Sequence, residues 1–133
     1  MRVFFDTNVL ASALTSRGLC AELYERVALG HDLIVGAPVI DELLRVLGDK
    51  LKVPTGELRR VRAELEEFEV APPSDRLPAV KIKDRDDLPV LACALAANVE
   101  IFVTGDKELI ALRVVGQMNV LSPRQLWEEL ATG

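Results

Sequence analysis

Apolar residues along this chain fall into two alternating kinds of run: short continuous ones, and longer ones in which they recur every three or four positions. The first kind reads as strands buried on both faces, the second as amphipathic helices. Val3 to Phe5, ended by Asp6, predicts a buried strand, and Leu33-Ile34-Val35 and Ile101-Phe102-Val103 predict two more. Shorter strands are expected at Glu69 to Ala71 and at Asn119 to Leu121.

Between these runs the spacing turns helical. Val9, Leu10, Ala13 and Leu14 begin a helix, Ser16-Arg17-Gly18 breaks it, and Ala21 to Leu29 resumes it. Pro38 fits the first turn of the next helix, where its missing N–H costs little. Val39, Ile40, Leu43, Leu44 and Leu47 form that helix's apolar stripe, with Gly48 and Pro54-Thr55-Gly56 as punctuation. Leu58, Val61, Leu65 and Phe68 mark a further helix, and the short link predicts an antiparallel pair. Leu88 to Ala97 is nearly all apolar and helical, a short helix follows from Lys107, and Ser122-Pro123 caps and opens a terminal helix through Leu130. Strands alternating with helices predict an α/β fold: a three-layer α/β/α sandwich around a mostly parallel sheet.

Composition narrows this picture. At 133 residues the chain has room for one core, so one domain over 1–133 and one site are expected. A net charge of −5 argues against tight nonspecific duplex binding, so any nucleic-acid role must come from local features. Cys20 and Cys93, the only cysteines, both lie in apolar helical segments, which argues against a disulfide framework and fits a reducing compartment. No run reaches membrane-spanning length, and Asp6 and Asn8 come too early for a secretory segment, so a cytoplasmic protein is expected.

The chemistry lies in four acids. Asp6 and Asp106 each follow a strand run directly, and in open parallel sheets the carboxyl ends of the strands are where ligands bind. Glu42 falls in the first turns of one helix, and Asp87 begins another. If each helix follows its strand in the usual way, the four carboxylates meet at one edge. Clustered carboxylates repel, so the group needs a cation or protons to persist. Oxygen-only donors favour Mg²⁺ or Mn²⁺, and such metals act on phosphates, which points to phosphodiester hydrolysis. Each acid taken singly also has a structural role open to it: Asp6 and Asp106 as helix caps or turn formers, Glu42 as partner of a helix dipole, and Asp84, Asp86 and Asp87 as an acidic turn. Asn8 and Thr104 are secondary candidates at the same edge, and the lone His31 is assigned no catalytic role.

These residues resemble a known family. Val3-Phe4-Phe5-Asp6-Thr7-Asn8-Val9-Leu10 is similar to the opening strand and Asp-Thr-Asn motif of PIN-domain ribonucleases. Val39 to Leu47 resembles that family's second acidic helix, Asp84 to Leu95 the third acidic segment, and Ile101 to Asp106 the fourth. More narrowly, the chain resembles the PIN toxins of prokaryotic toxin–antitoxin systems. The resemblance implies Asp6, Glu42, Asp87 and Asp106 as metal-binding acids, with Thr104 as a supporting hydroxyl and Asp84 as the alternative third acid. It also implies Mg²⁺ or Mn²⁺, an RNA substrate cut to leave a 5′-phosphate and a 3′-hydroxyl, a homodimer and an antitoxin partner. Gly48 to Lys83 matches no motif. Local basic clusters at Arg59, Arg60 and Arg62, or at Lys81, Lys83 and Arg85, remain for RNA, the first interspersed with Glu64, Glu66 and Glu67.

Two other classes stay open. One is a small-molecule phosphohydrolase using Asp6 as nucleophile, although Asn8 stands where a second Asp would be expected. The other is a non-catalytic module that binds RNA or a partner without cutting.

Overall fold

Phe4 stacks on Phe102 across neighbouring strands, with ring centroids 5.4 Å apart and planes 14° from parallel. Both rings are fully buried, and the sheet is built outward from them. In the computed structural model, which describes residues 1–132, the strands are β1 (Arg2–Phe5), β2 (Asp32–Gly36), β3 (Glu69–Ala71), β4 (Ile101–Val103), β5 (Val114–Val115) and β6 (Met118–Leu121). The helices are α1 (Thr7–Thr15), α2 (Leu19–Gly30), α3 (Ala37–Asp49), α4 (Thr55–Leu65), α5 (Leu88–Ala96), α6 (Lys107–Leu112) and α7 (Pro123–Thr132). A 3-10 turn at Arg85–Asp87 leads into α5.

The strand order is β3-β2-β1-β4-β6-β5. Every pairing is parallel except β5 with β6. The chain thus winds from β1 outward to β3, returns across the middle, and continues from β4 in the other direction. The reversal falls between β1 and β4, where loops leaving two adjacent strands diverge and open a crevice. Pairing of Phe5 with Val103 sets the register there, so Asp6 and Thr104 leave the sheet side by side. The α/β fold with a mostly parallel central sheet is therefore as the apolar runs predict, and the sheet is flanked by seven helices.

Strand cores are apolar because both faces are covered: Val3, Phe4, Phe5, Leu33, Ile34, Val35, Ile101, Phe102 and Val103 are all buried. At the carboxyl end of β2 the chain needs a glycine for space. A Cβ on Gly36 would stand 2.7 Å from the Phe4 ring and 3.2 Å from the Cys93 sulfur. α3 follows at once with Pro38 in its first turn. It runs through Gly48 to Asp49 instead of stopping at the glycine, and Gly48 serves packing: a Cβ there would meet Leu58 of α4 at 3.2 Å. The other unexpected element is β5, two residues joined to β6 by a turn in which Gly116 has φ +61°. At the far end, the Ser122 hydroxyl accepts from the Gln125 N–H while the Gln125 side chain accepts from the Ser122 N–H, a reciprocal cap that starts α7.

Candidate active site

The site is built where β1 and β4 end. Asp6 caps α1: its Oδ1 accepts the Val9 N–H at 3.0 Å, while its own N–H donates to the Val103 carbonyl at 3.0 Å. Its other oxygen, Oδ2, accepts the hydroxyl of Thr104. Thr104 is fully buried, and the same Oγ1 accepts the Asp106 N–H at 3.1 Å. One hydroxyl therefore ties the first acid to the backbone of the fourth. Burying a threonine this way leaves no polar atom unpaired, because both its donor and an acceptor position are used.

Around Asp6 lies a cavity of about 40 Å³, room enough for water-sized guests. Asp6, Thr7, Asn8, Glu42, Asp87, Val90, Phe102 and Leu109 line it. Glu42 arrives from the second turn of α3, which starts at the end of β2; Asp87 arrives from the end of the 3-10 turn that opens α5. Three of the four predicted acids thus face one cavity, and Asn8 joins them from the first turn of α1.

The fourth, Asp106, is exposed and does not line the cavity; its Oδ1 accepts the Glu108 N–H at 2.8 Å, capping α6. Its charge nevertheless reaches both Asp6 and Asp87. Asp84 is also exposed and accepts the Asp86 N–H at 3.0 Å, so it caps the 3-10 turn while Asp87 takes the place in the cavity. Among the described residues, no three His, Cys, Asp or Glu side chains already stand as a metal-ligand group.

Electrostatics mark the cluster as strained. Burial pushes the Asp6 carboxyl above its ordinary value, against the lowering effect of its hydrogen bonds from Thr104 and Val9 and with Asp106 and Glu42 adding to the rise. Asp87 is pushed up to about 6, first by burial and then by the charges of Asp84, Asp106, Asp6 and Glu42. The neighbouring charges make Asp6 and Asp87 harder to ionise, and a bound divalent cation is the simplest relief. All-oxygen donors in a small cavity suit a hard cation such as Mg²⁺ or Mn²⁺ in their chemistry.

The lining residues that the sequence did not single out are Thr7, Val90, Phe102 and Leu109. Thr7 follows Asp6 directly and is buried, whereas the other three are ordinary members of apolar stripes. Nothing in their type sets them apart; only the fold shows that they wall the cavity.

A family model of the PIN domain matches residues 2–108, a span that holds all four acids. The chain belongs to the PIN-domain family. Among solved structures, this PIN domain is similar to a chain of a toxin-antitoxin complex from Klebsiella pneumoniae, at 20% identity and TM-score 0.64, over 91% of this chain and 97% of the other. It is equally similar to a chain of VapBC2 from Rickettsia felis bound to a DNA fragment from their promoter, at 16% identity and TM-score 0.64, over 92% and 98%. A third likeness is to the PIN domain endonuclease Utp24, at 23% identity and TM-score 0.52, over 91% and 84%. Comparison with curated proteins gives no match. No helix among the described residues is long and apolar enough to cross a membrane.

Proposed function

We propose that this PIN domain is a divalent-metal-dependent endoribonuclease, acting as one domain and as the toxin of a cytoplasmic toxin–antitoxin pair, with Mg²⁺ or Mn²⁺ as cofactor. The observation that carries the reading is the convergence of Asp6, Glu42 and Asp87 on one cavity, with Asp106 close enough to raise the pKa of two of them. Solved structures of similar fold include toxin–antitoxin complexes, which supports an antitoxin as partner; that the toxin is a homodimer is part of the proposal.

Asp6, Glu42 and Asp87 would hold the cation, with Asp106 completing the acidic rim. When bound, the cation neutralises the cluster, polarises the scissile phosphoryl group and makes water acidic enough to attack near neutral pH. Asp6 serves as the fixed point, since Val9 and Thr104 orient both its oxygens. Asp87, its pKa pushed up to about 6, takes up a proton readily and so lowers the charge the cluster carries. Asn8 offers a neutral amide on the lining, suited to orienting a phosphate oxygen. Val90, Phe102 and Leu109 form the cavity's apolar side.

The test is incubation of the purified protein with a mixed pool of single-stranded and structured RNAs in Mg²⁺, Mn²⁺ or EDTA. Internal cuts that need metal, and a Mn²⁺ binding isotherm weakened by Glu42→Gln, are expected. RNA binding that survives chelation, with no cleavage under either metal, would instead make the protein a binding module.

A further inference from the structure

Beside the acidic cavity lies a second, larger one with the opposite charge. Val80, Lys81, Ile82, Lys83, Arg85 and Glu108 line a groove of about 370 Å³. Resting on the nuclease reading above, we propose that this groove is the track for the phosphates of single-stranded RNA flanking the cut, with Lys81, Lys83 and Arg85 as substrate-positioning residues.

The segment's own pattern makes the track. Val80 and Ile82 are half-buried and pack against the core, whereas Lys81 and Lys83 are exposed. This alternation is that of an extended chain with one apolar face, so the two lysines share the outward face. Alternate residues of such a chain stand roughly 6–7 Å apart, comparable to successive phosphates along an extended nucleic-acid strand. Arg85 follows at the start of the 3-10 turn that ends in Asp87, so the basic track leads directly to the acidic lining.

The track is also anchored to the site. The Lys83 N–H donates to Glu108 Oε1 at 2.9 Å, and Glu108 itself donates its N–H to Asp106. Glu108, the one carboxylate in the groove, is therefore held by backbone and not by any lysine. Among the described residues the ion pairs within 4 Å are Arg2 with Glu69 and Arg62 with Asp41, so the charges of Lys81, Lys83 and Arg85 are uncommitted. The rival basic cluster on α4 differs. Arg62 is 3.5 Å from Asp41, and Glu57, Glu64, Glu66 and Glu67 lie on that helix or just past its end, whereas Asp84 and Asp86, which flank Arg85, are not among the residues lining the groove. In a chain of net charge −5, uncommitted cations beside the acids are where a polyanion gains most.

The test uses the full chain carrying Asp6→Asn, so that RNA is bound without being cut, and a fluorescein-labelled mixed-sequence single-stranded RNA read by anisotropy across a salt series. Adding Lys81→Ala, Lys83→Ala and Arg85→Ala is expected to weaken binding roughly tenfold and to lower the log–log salt slope by about 2, the loss of three phosphate contacts. Lys83→Arg should bind like the parent, and Arg59→Ala with Arg60→Ala should change affinity less than about twofold. Unchanged affinity and slope in the triple variant, an equal loss in the α4 variant, or no binding by the parent would overturn the proposal. Cleavage separates it from the nuclease reading. If the protein with Asp6 intact cuts RNA, and Lys81→Ala, Lys83→Ala and Arg85→Ala placed together in that Asp6-intact protein leave KM unchanged, the track alone fails; if the track binds RNA and no metal supports cutting, the nuclease reading alone fails.

Discussion

The buried hydroxyl of Thr104 donates to the Asp6 carboxylate and accepts the Asp106 N–H, so the ends of β1 and β4 are joined at the cavity by a single oxygen. A side chain so placed orients an acid without itself lining the cavity. Thr104→Val keeps the shape and removes that oxygen. Metal affinity or cleavage should fall about 10–100-fold, as for other groups that orient metal ligands, and stability by about 1–3 kcal/mol for the unpaired groups left behind. Thr104→Ser should keep most of both. Metal titration and thermal unfolding of the two variants check this.

Stability without metal should depend on pH through Asp87. Its carboxyl titrates near 3.8 when free and at about 6 in the fold, so between these values the folded state binds more protons than the unfolded one. That contribution is fully present below about 3.8 and is lost as pH rises through about 6. In EDTA, Asp87→Asn should therefore gain in Tm relative to the parent between pH 4 and pH 7, and Mn²⁺ should reverse the order. A Tm difference that stays flat with pH would contradict the assignment.

Gly36 is needed for space. Its backbone φ of −80° suits any residue, but a Cβ would meet the Phe4 ring at 2.7 Å. Phe4 is wedged against Phe102 and has no room to retreat. Gly36→Ala should cost about 1–3 kcal/mol by overpacking, read from denaturant midpoints.

Arg2 joins three elements at the other end of β1. Its guanidinium reaches both Glu69 oxygens, at 3.0 and 2.7 Å, and the Ala97 carbonyl at the end of α5, at 2.7 Å from Nη2. Glu69 is the more exposed partner, with half its side chain in solvent. Glu69→Gln should therefore cost under about 1 kcal/mol. Arg2→Ala should cost about 1–3 kcal/mol, because the Ala97 carbonyl also loses its donor. Chemical denaturation of both variants separates the two contributions.

Much of this was legible in the sequence, for physical reasons that also explain the failures. Val3–Phe5 and Ile101–Val103 read as strands because a strand covered on both faces must be apolar at every position. Asp6 and Asp106 followed from the ends of those strands, and Asp87 is preferred to Asp84 by its spacing to the helix that both precede; in the fold Asp87 lines the cavity and Asp84 caps the 3-10 turn. A capping role does not keep an acid from the cavity: Asp6 caps α1 and faces the cavity at once. Asp106 was expected beside the others and stands outside the lining, because its side chain turns back to cap α6. Gly48 misled because a glycine inside a helix is chosen here by α4 packing on it, which no local pattern shows. β5 was missed because two residues are too few to show alternation, and its partner β6 supplies the ladder. Lys81, Lys83 and Arg85 were legible as a basic cluster, but not as a groove, since its wall depends on Glu108 bringing α6 alongside.

If the carboxylates lining the cavity are the catalytic centre, cleavage must fail when those that line it are neutralised and survive when a neighbouring one is. Single-turnover cleavage of a labelled RNA in Mn²⁺ tests it most directly, comparing the parent with Asp6→Asn, Asp87→Asn and Asp84→Asn at matched folding by circular dichroism. Asp6→Asn and Asp87→Asn should lose at least about 10²-fold in rate, while Asp84→Asn should stay within a few-fold of the parent. Cleavage by Asp6→Asn at the parental rate, or an Asp84→Asn protein as dead as Asp87→Asn, would contradict it.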